Sequence, residues 1–237
     1  MPADFAALTY LQEKGFQVIL GVWPDIESSF TADTQAISQY MPGYEAQVYA
    51  ITVGSETLYR GTFTGAQLLA KINQVKQMFP NTLIGTADSW NKYADGTADA
   101  VIAGGVELIL ANAFSYWQAT PISNATWNFF EDIFGALQQI QRVAPGGKLP
   151  QFWVGETGWP TDGGSNYGAA IASTQNAATF FSQGVCGMLE WNVNVFYFEA
   201  YDEPYKPASV GDDGQSEDET HWGAMTATRG TKFSLKC

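Results

Sequence analysis

Gln151-Phe152-Trp153-Val154-Gly155-Glu156 is a short apolar run that ends in a carboxylate, preceded by the turn residues Gly146-Gly147 and Pro150. Such a run, bounded by turn signals and without polar alternation, reads as a strand buried on both faces. A parallel sheet covered by helices contains strands of this kind. Working outward, similar runs recur at 17–23, 46–54, 83–87, 107–114 and 193–199. Helical patterns separate them at 4–14, 29–41, 65–79, 96–104, 126–143 and 168–183, several with apolar residues three to four apart. Thr64 is the expected N-cap of the third helix, and 209–220 reads as a polar acidic loop. This alternation predicts an α/β fold with parallel strands. No linker divides the chain, so residues 1–237 read as a single domain.

The residues just beyond the strands decide the functional reading. The strand C-terminal ends carry Trp23-Pro24-Asp25, Ser55-Glu56, Asp88-Ser89-Trp90, Tyr116-Trp117, Glu156-Thr157-Gly158-Trp159 and the segment from Glu199 to Glu203. Polar and aromatic groups therefore gather at the end of the sheet where a (β/α) barrel keeps its active site. Two carboxylates, Glu56 and Glu156, stand directly after glycine-bearing strand ends. A carboxyl group in an apolar mouth can stay protonated near neutral pH while a hydrogen-bonded neighbour stays ionised. Glycosidic cleavage requires that asymmetry. A lone strand-end glutamate is more often a salt-bridge partner than a catalytic group, and the sequence does not show the distance between the two.

Composition narrows the choice. Eleven Lys and Arg against 24 Asp and Glu leave a formal charge of −13, which repels nucleic-acid phosphates and anionic lipid headgroups. No apolar run reaches the length of a membrane span, and the first residues do not resemble a signal peptide, so any leader is expected outside this sequence. A single histidine, His221, and two distant cysteines do not supply a zinc constellation; no metal and no cofactor are expected. Eight Trp, 11 Tyr and 15 Phe provide flat faces on which sugar rings can stack, although most are expected in the core. Asn124-Ala125-Thr126 is an N-glycosylation sequon.

The stretch from Phe152 to Gly163, FWVGETGWPTDG, resembles the signature of glycoside hydrolase family 17. Further segments are similar to the fungal cell-wall glucanase and glucanosyltransferase branch of that family. They are Gly21 to Asp25, Val53 to Arg60, Ala111 to Trp117 and Phe198 to Glu203. The resemblance implies a (β/α)8 TIM barrel and a retaining mechanism on β-1,3-glucan, with Glu56 as acid/base and Glu156 as nucleophile. It also implies a secreted, cell-wall protein. Ser55 departs from the Asn that precedes the acid/base in plant members; its shorter hydroxyl reaches less far, so the contact with the sugar 2-hydroxyl is expected to pass through water or to come from another group. Tyr116 and Glu203 resemble residues near the nucleophile and the mouth. Trp23, Tyr59, Trp90, Trp159 and Tyr201 are candidate sugar platforms, two or three of them expected to serve. Asp88 is a candidate ligand for sugar hydroxyls or for an adjacent backbone, with the second preferred. His221 resembles part of the family's closing segment and is expected to be structural.

The secreted context implied by the resemblance favours a Cys186–Cys237 disulfide. Family members also begin with two strands that are not found here, which leaves about six βα units and an incomplete barrel. Strands 17–23 and 193–199 are then expected to expose edges, leaving either an open gap between them or one closed by the two strands moving together or by self-association with another chain, with low activity and poor stability. A glucan-binding wall protein of little or no activity is the competing function.

Overall fold

The computed structural model of the protein describes residues 5–162, 166–210 and 216–237. Gly163 and residues 211–215 of the expected acidic loop lie outside them. Six strands, β1 (Val18–Val22), β2 (Val48–Ser55), β3 (Leu83–Ser89), β4 (Leu108–Asn112), β5 (Gln151–Thr157) and β6 (Val195–Tyr197), form one sheet. They lie in sequence order, and β1–β2, β2–β3 and β5–β6 pair in parallel. Helices α1 (Phe5–Lys14), α2 (Glu27–Tyr40), α3 (Gly65–Met78), α4 (Trp90–Ala94), α5 (Asp99–Ala103), α6 (Ile122–Val143), α7 (Thr174–Phe180) and α8 (Cys186–Glu190) fill the intervals. Consecutive parallel strands joined by helices make an α/β fold of the (β/α)8 TIM-barrel type, with six βα units. Ser209–Val210 (β7) and Ser216–Glu217 (β8) pair antiparallel in the segment expected to be loop. In the six-stranded sheet, among the described residues, β1 neighbours only β2 and β6 only β5, so each forms an edge of the sheet.

The chain divides into two compact units: residues up to Ala111 with Gly135–Phe152, and Asn112–Phe134 with Trp153–Cys237. In the first unit, β2 buries Val48, Ala50, Ile51 and Val53, a continuous run because both faces are covered. Helix α3 turns Leu68, Ile72 and Val75 inward, at the three-to-four spacing of one helical face. Thr64 caps it as expected: its Oγ1 accepts from Gln67 N, while the Gln67 side chain accepts in return from the Thr64 amide. In the second unit, Phe129 packs edge-on against Phe180, with ring centroids 5.6 Å apart, and both are fully buried.

Three expected helices differ from the structure. The pattern at 96–104 is helical only over α5 (Asp99–Ala103), because Asp95 Oδ1 accepts from Thr97 N at 2.8 Å, a side-chain turn, and Gly96 takes φ +87°; α4 (Trp90–Ala94), ahead of that turn, is not among the expected helices. The pattern at 168–183 starts only at Thr174, where Ser173 Oγ accepts from Asn176 N. It then continues through a π turn at Phe181–Val185 into α8. Helix α6 begins four residues earlier than the expected 126, directly after Pro121, which cannot extend a helix backwards. A disulfide joins Cys186, at the start of α8, to Cys237.

Candidate active site

In the first unit the ends of β1, β2 and β3 converge on one turn. Gly54 has φ +82°, and a Cβ there would lie 2.6 Å from Thr57 Oγ1, so only glycine fits. Glu56 itself has φ +55°, the left-handed region that non-glycine residues rarely enter. Its N–H donates to Ala87 O at 3.0 Å, and its carbonyl accepts from Arg60 N at 2.9 Å. The side chain of Glu56 is half-buried. Asp25, after β1, binds the far side of the same turn. Its carboxylate accepts from Arg60 at 2.9 Å, Thr62 Oγ1 at 3.0 Å and Thr57 Oγ1 at 3.1 Å. Burial pushes its proton affinity up, but these donors and the Arg60 charge outweigh that and hold the carboxyl below its usual range.

Trp23 is 40% exposed, and the Arg60 guanidinium lies 4.6 Å from its ring centroid. Tyr59, Trp90 and Ser55 are half-buried. Trp23 is thus exposed, and Tyr59 and Trp90 are partly exposed. Asp88 is fully buried, and its carboxylate accepts from Leu58 N at 2.8 Å, Ser89 N at 2.9 Å and Tyr59 N at 3.1 Å. It anchors a backbone turn instead of reaching sugar hydroxyls. Burial raises its pKa to about 6, the three amides opposing this and the Glu56 charge adding to it.

In the second unit Glu156 is half-buried near the end of β5, and its carbonyl accepts from Ala113 N at 2.9 Å. Gly158 comes next but one, where the Phe198 carbonyl lies close enough to exclude any Cβ. Trp159 is fully buried, its indole donating to Ile171 O at 2.9 Å, so it is a core residue and not a sugar platform. The cause is tertiary: Tyr116 and Phe180 close over its ring, with centroids 5.2 and 5.8 Å away. Tyr116 is likewise buried within an aromatic cluster, edge-on to Trp117 at 5.1 Å and Trp222 at 5.4 Å. Burial, with the Glu217 charge adding, pushes its phenol up to about 12 against the Tyr167 backbone, so it stays protonated. Trp117 stacks on Trp222 at 5.2 Å.

Glu199, Glu203 and Lys206 form a charged group after β6. Lys206 Nζ lies 2.8 and 2.9 Å from the two Glu199 oxygens and 3.2 Å from Glu203, and Tyr205 donates to Glu203 at 2.6 Å. Burial raises the Glu199 pKa, with Lys206 opposing and Glu203 adding. Tyr201 is 42% exposed. His221 is tied to Thr220 Oγ1 through Nδ1 at 2.7 Å, and its carbonyl accepts both Thr161 N and Oγ1 at 3.0 Å, a structural role. The sequence alone does not single out Asp25, Arg60 or Lys206 as site residues. Their signal is only opposite charge at strand ends that proximity in space turns into pairs.

A family model describing the BtgE/BtgC glycoside hydrolase domain matches residues 5–223. A protein of Arthroderma benhamiae named glucan 1,3-beta-glucosidase is 58% identical over 226 residues, 95% of this chain and 73% of that protein. Its namesake in Saccharomyces cerevisiae is 42% identical over 238 residues, 95% of this chain and 74% of that one. The solved structure of a glycoside hydrolase family 17 β-1,3-glucanosyltransferase from Rhizomucor miehei is similar with TM-score 0.81 and 27% identity, covering 98% of this chain and 80% of that chain. An active-site mutant of a Rhizomucor miehei β-1,3-glucanosyltransferase in complex with laminaritriose is similar with TM-score 0.80 and 26% identity, covering 98% of this chain and 80% of that chain.

Proposed function

The chain belongs to the BtgE/BtgC glycoside hydrolase family, and from that premise we propose how it works on its substrate. It is a glycoside hydrolase or transglycosylase acting on β-1,3-glucan. Glu156 Oε attacks the anomeric carbon while Glu56 gives its proton to the departing glycosidic oxygen. The glycosyl-enzyme ester is then resolved by water, giving hydrolysis, or by another sugar hydroxyl, giving transfer; Glu56 takes up the proton of either acceptor. Identity to glucan 1,3-beta-glucosidases along nearly the whole chain is the observation that carries this reading. The half-buried setting of both glutamates at strand C-terminal ends supports the roles.

Trp23 and Tyr201, which are exposed, and Tyr59 and Trp90, which are partly exposed, are the proposed sugar platforms. Ser55 and Glu203 are proposed polar contacts, and Tyr116 a buried hydroxyl donor. Secretion to the cell wall is supported by the disulfide, which persists in oxidising compartments, and by the exposed Asn124 sequon on the first turn of α6. The sheet edges at β1 and β6 support self-association through strand pairing.

The test is product analysis on laminari-oligosaccharides with the wild type, Glu156→Gln and Glu56→Gln. Shorter products mean hydrolysis, longer ones transfer. Glu156→Gln should bind oligosaccharide without turnover. Ordinary activity in either variant would overturn the assignment.

A further inference from the structure

Asp88 is an unusual residue to bury completely. Removing an ionisable carboxyl group from water is unfavourable unless its oxygens are satisfied. Here they are satisfied by three backbone N–H groups, those of Leu58, Tyr59 and Ser89, at 2.8–3.1 Å. All three are donors, so the site requires an acceptor-only side chain; an amide would turn its own N–H2 toward at least one of them. Two of the three amides belong to the turn directly after Glu56. The Glu56 amide itself is bonded to Ala87 O, on the residue before Asp88, and Ser55 stands opposite Ala87 in the register of β2 and β3. The end of β3 therefore holds the turn on both sides of Glu56.

That grip matters because Glu56 sits at φ +55°. A non-glycine residue stays in the left-handed region only where its surroundings over-determine the conformation. Asp25 holds the outer side of the turn through side chains, and Asp88 holds the inner side through the backbone. Only the second sets the direction in which the peptide planes after Glu56 run. The Glu56 charge also raises the proton affinity of Asp88, on top of its burial. Tyr93, from α4, is another titratable group that feels the Asp88 charge; its phenol is fully buried and donates to Leu110 O at 3.3 Å.

We propose that Asp88 is a positioning residue for proton transfer by Glu56: its buried carboxylate fixes the backbone turn that aims the Glu56 carboxyl group at the glycosidic oxygen. This rests on the reading of Glu56 as acid/base. A displacement of about 1 Å at a reacting group lowers the rate on the order of 10²-fold. Loss of the acceptor should therefore act on the proton-dependent step, and spare a substrate whose leaving group departs without a proton.

The experiment compares kcat/KM, which reports formation of the glycosyl-enzyme, on a laminari-oligosaccharide and on its dinitrophenyl glycoside. Asp88→Asn, Asp88→Glu, Glu56→Gln and wild type are measured side by side, with circular dichroism to check folding. Glu56→Gln should lose activity on the oligosaccharide selectively, which verifies the acid role independently. Asp88→Asn should show the same selectivity, with a loss of roughly 10²-fold on the oligosaccharide and little on the activated substrate. Asp88→Glu, which keeps the charge but displaces the acceptor, should behave likewise and serves if the asparagine variant does not fold. If the Asp88 variants fold but lose both activities equally, or lose neither, while Glu56→Gln remains selective, the positioning role is refuted and the acid role stands. If Glu56→Gln itself shows no selectivity, both fall.

Discussion

Replacing Gly158 by alanine adds one methyl group at the tightest point after Glu156. That Cβ would lie 2.1 Å from Phe198 O, 3.2 Å from the Phe198 carbonyl carbon and 3.3 Å from Trp222 Cε3. Real Cβ atoms essentially never approach within 3.0 Å, so about 0.9 Å of separation has to be opened. The obstacle is backbone, held by Phe198 N donating to Thr157 O at 2.8 Å and Glu199 N donating to Trp222 O at 3.1 Å, so it cannot rotate aside. Overpacking of this kind costs about 1–3 kcal/mol, or roughly 2–4 °C in Tm for each kcal/mol in a chain of this size. The displaced segment includes Thr157, the neighbour of Glu156, so a shift approaching 1 Å should also lower kcat/KM on laminari-oligosaccharides by about 10²-fold. Gly21→Ala is the control, since a Cβ on Gly21 meets nothing within 4 Å. Melting temperature and kcat/KM are measured for both variants. Equal values for Gly158→Ala and Gly21→Ala would refute the steric reasoning.

Opening the Cys186–Cys237 disulfide releases a loop of 51 residues, worth about 4 kcal/mol by chain entropy, and frees the tail whose Lys232 pairs with Asp202 at 2.5 Å. Guanidinium midpoints of oxidised and of reduced, alkylated protein should differ accordingly, and coincident curves would count against the estimate. Asp132 is buried, which raises its pKa to about 7 against the Gln118 hydrogen bond and with Glu131 adding. The folded state then holds a proton that the unfolded state, at 3.8, has lost, so this group's contribution falls as pH rises from about 4 through 7. Asp132→Asn should flatten the dependence of Tm on pH across that window; an unchanged slope would assign it elsewhere. Thr64→Ala removes the cap of α3 and should cost about 1 kcal/mol in urea unfolding, with no change in kcat.

The order of the six sheet strands and of most helices was legible because each of those strands falls on an apolar run, and because Thr64 carries its capping signal directly before the helix it starts. Glu56 and Glu156 were legible for a similar reason: they stand after glycine-bearing strand ends, a local pattern reinforced by the family resemblance. Accessibility was not. Trp23 and Trp159 both come after strands, yet one is 40% exposed and the other is fully buried, because Tyr116 and Phe180 arrive from distant segments to cover only the second. Asp88 is a similar case, since no local pattern tells that its oxygens meet the amides of Leu58 and Tyr59 from another strand's turn. The sequence by itself determined which elements form and which carboxylates end them, since backbone periodicity and capping act over a few residues. The tertiary structure alone decided which side chains face solvent and which anchor the turns, since burial and hydrogen-bond partners depend on segments far apart in the chain.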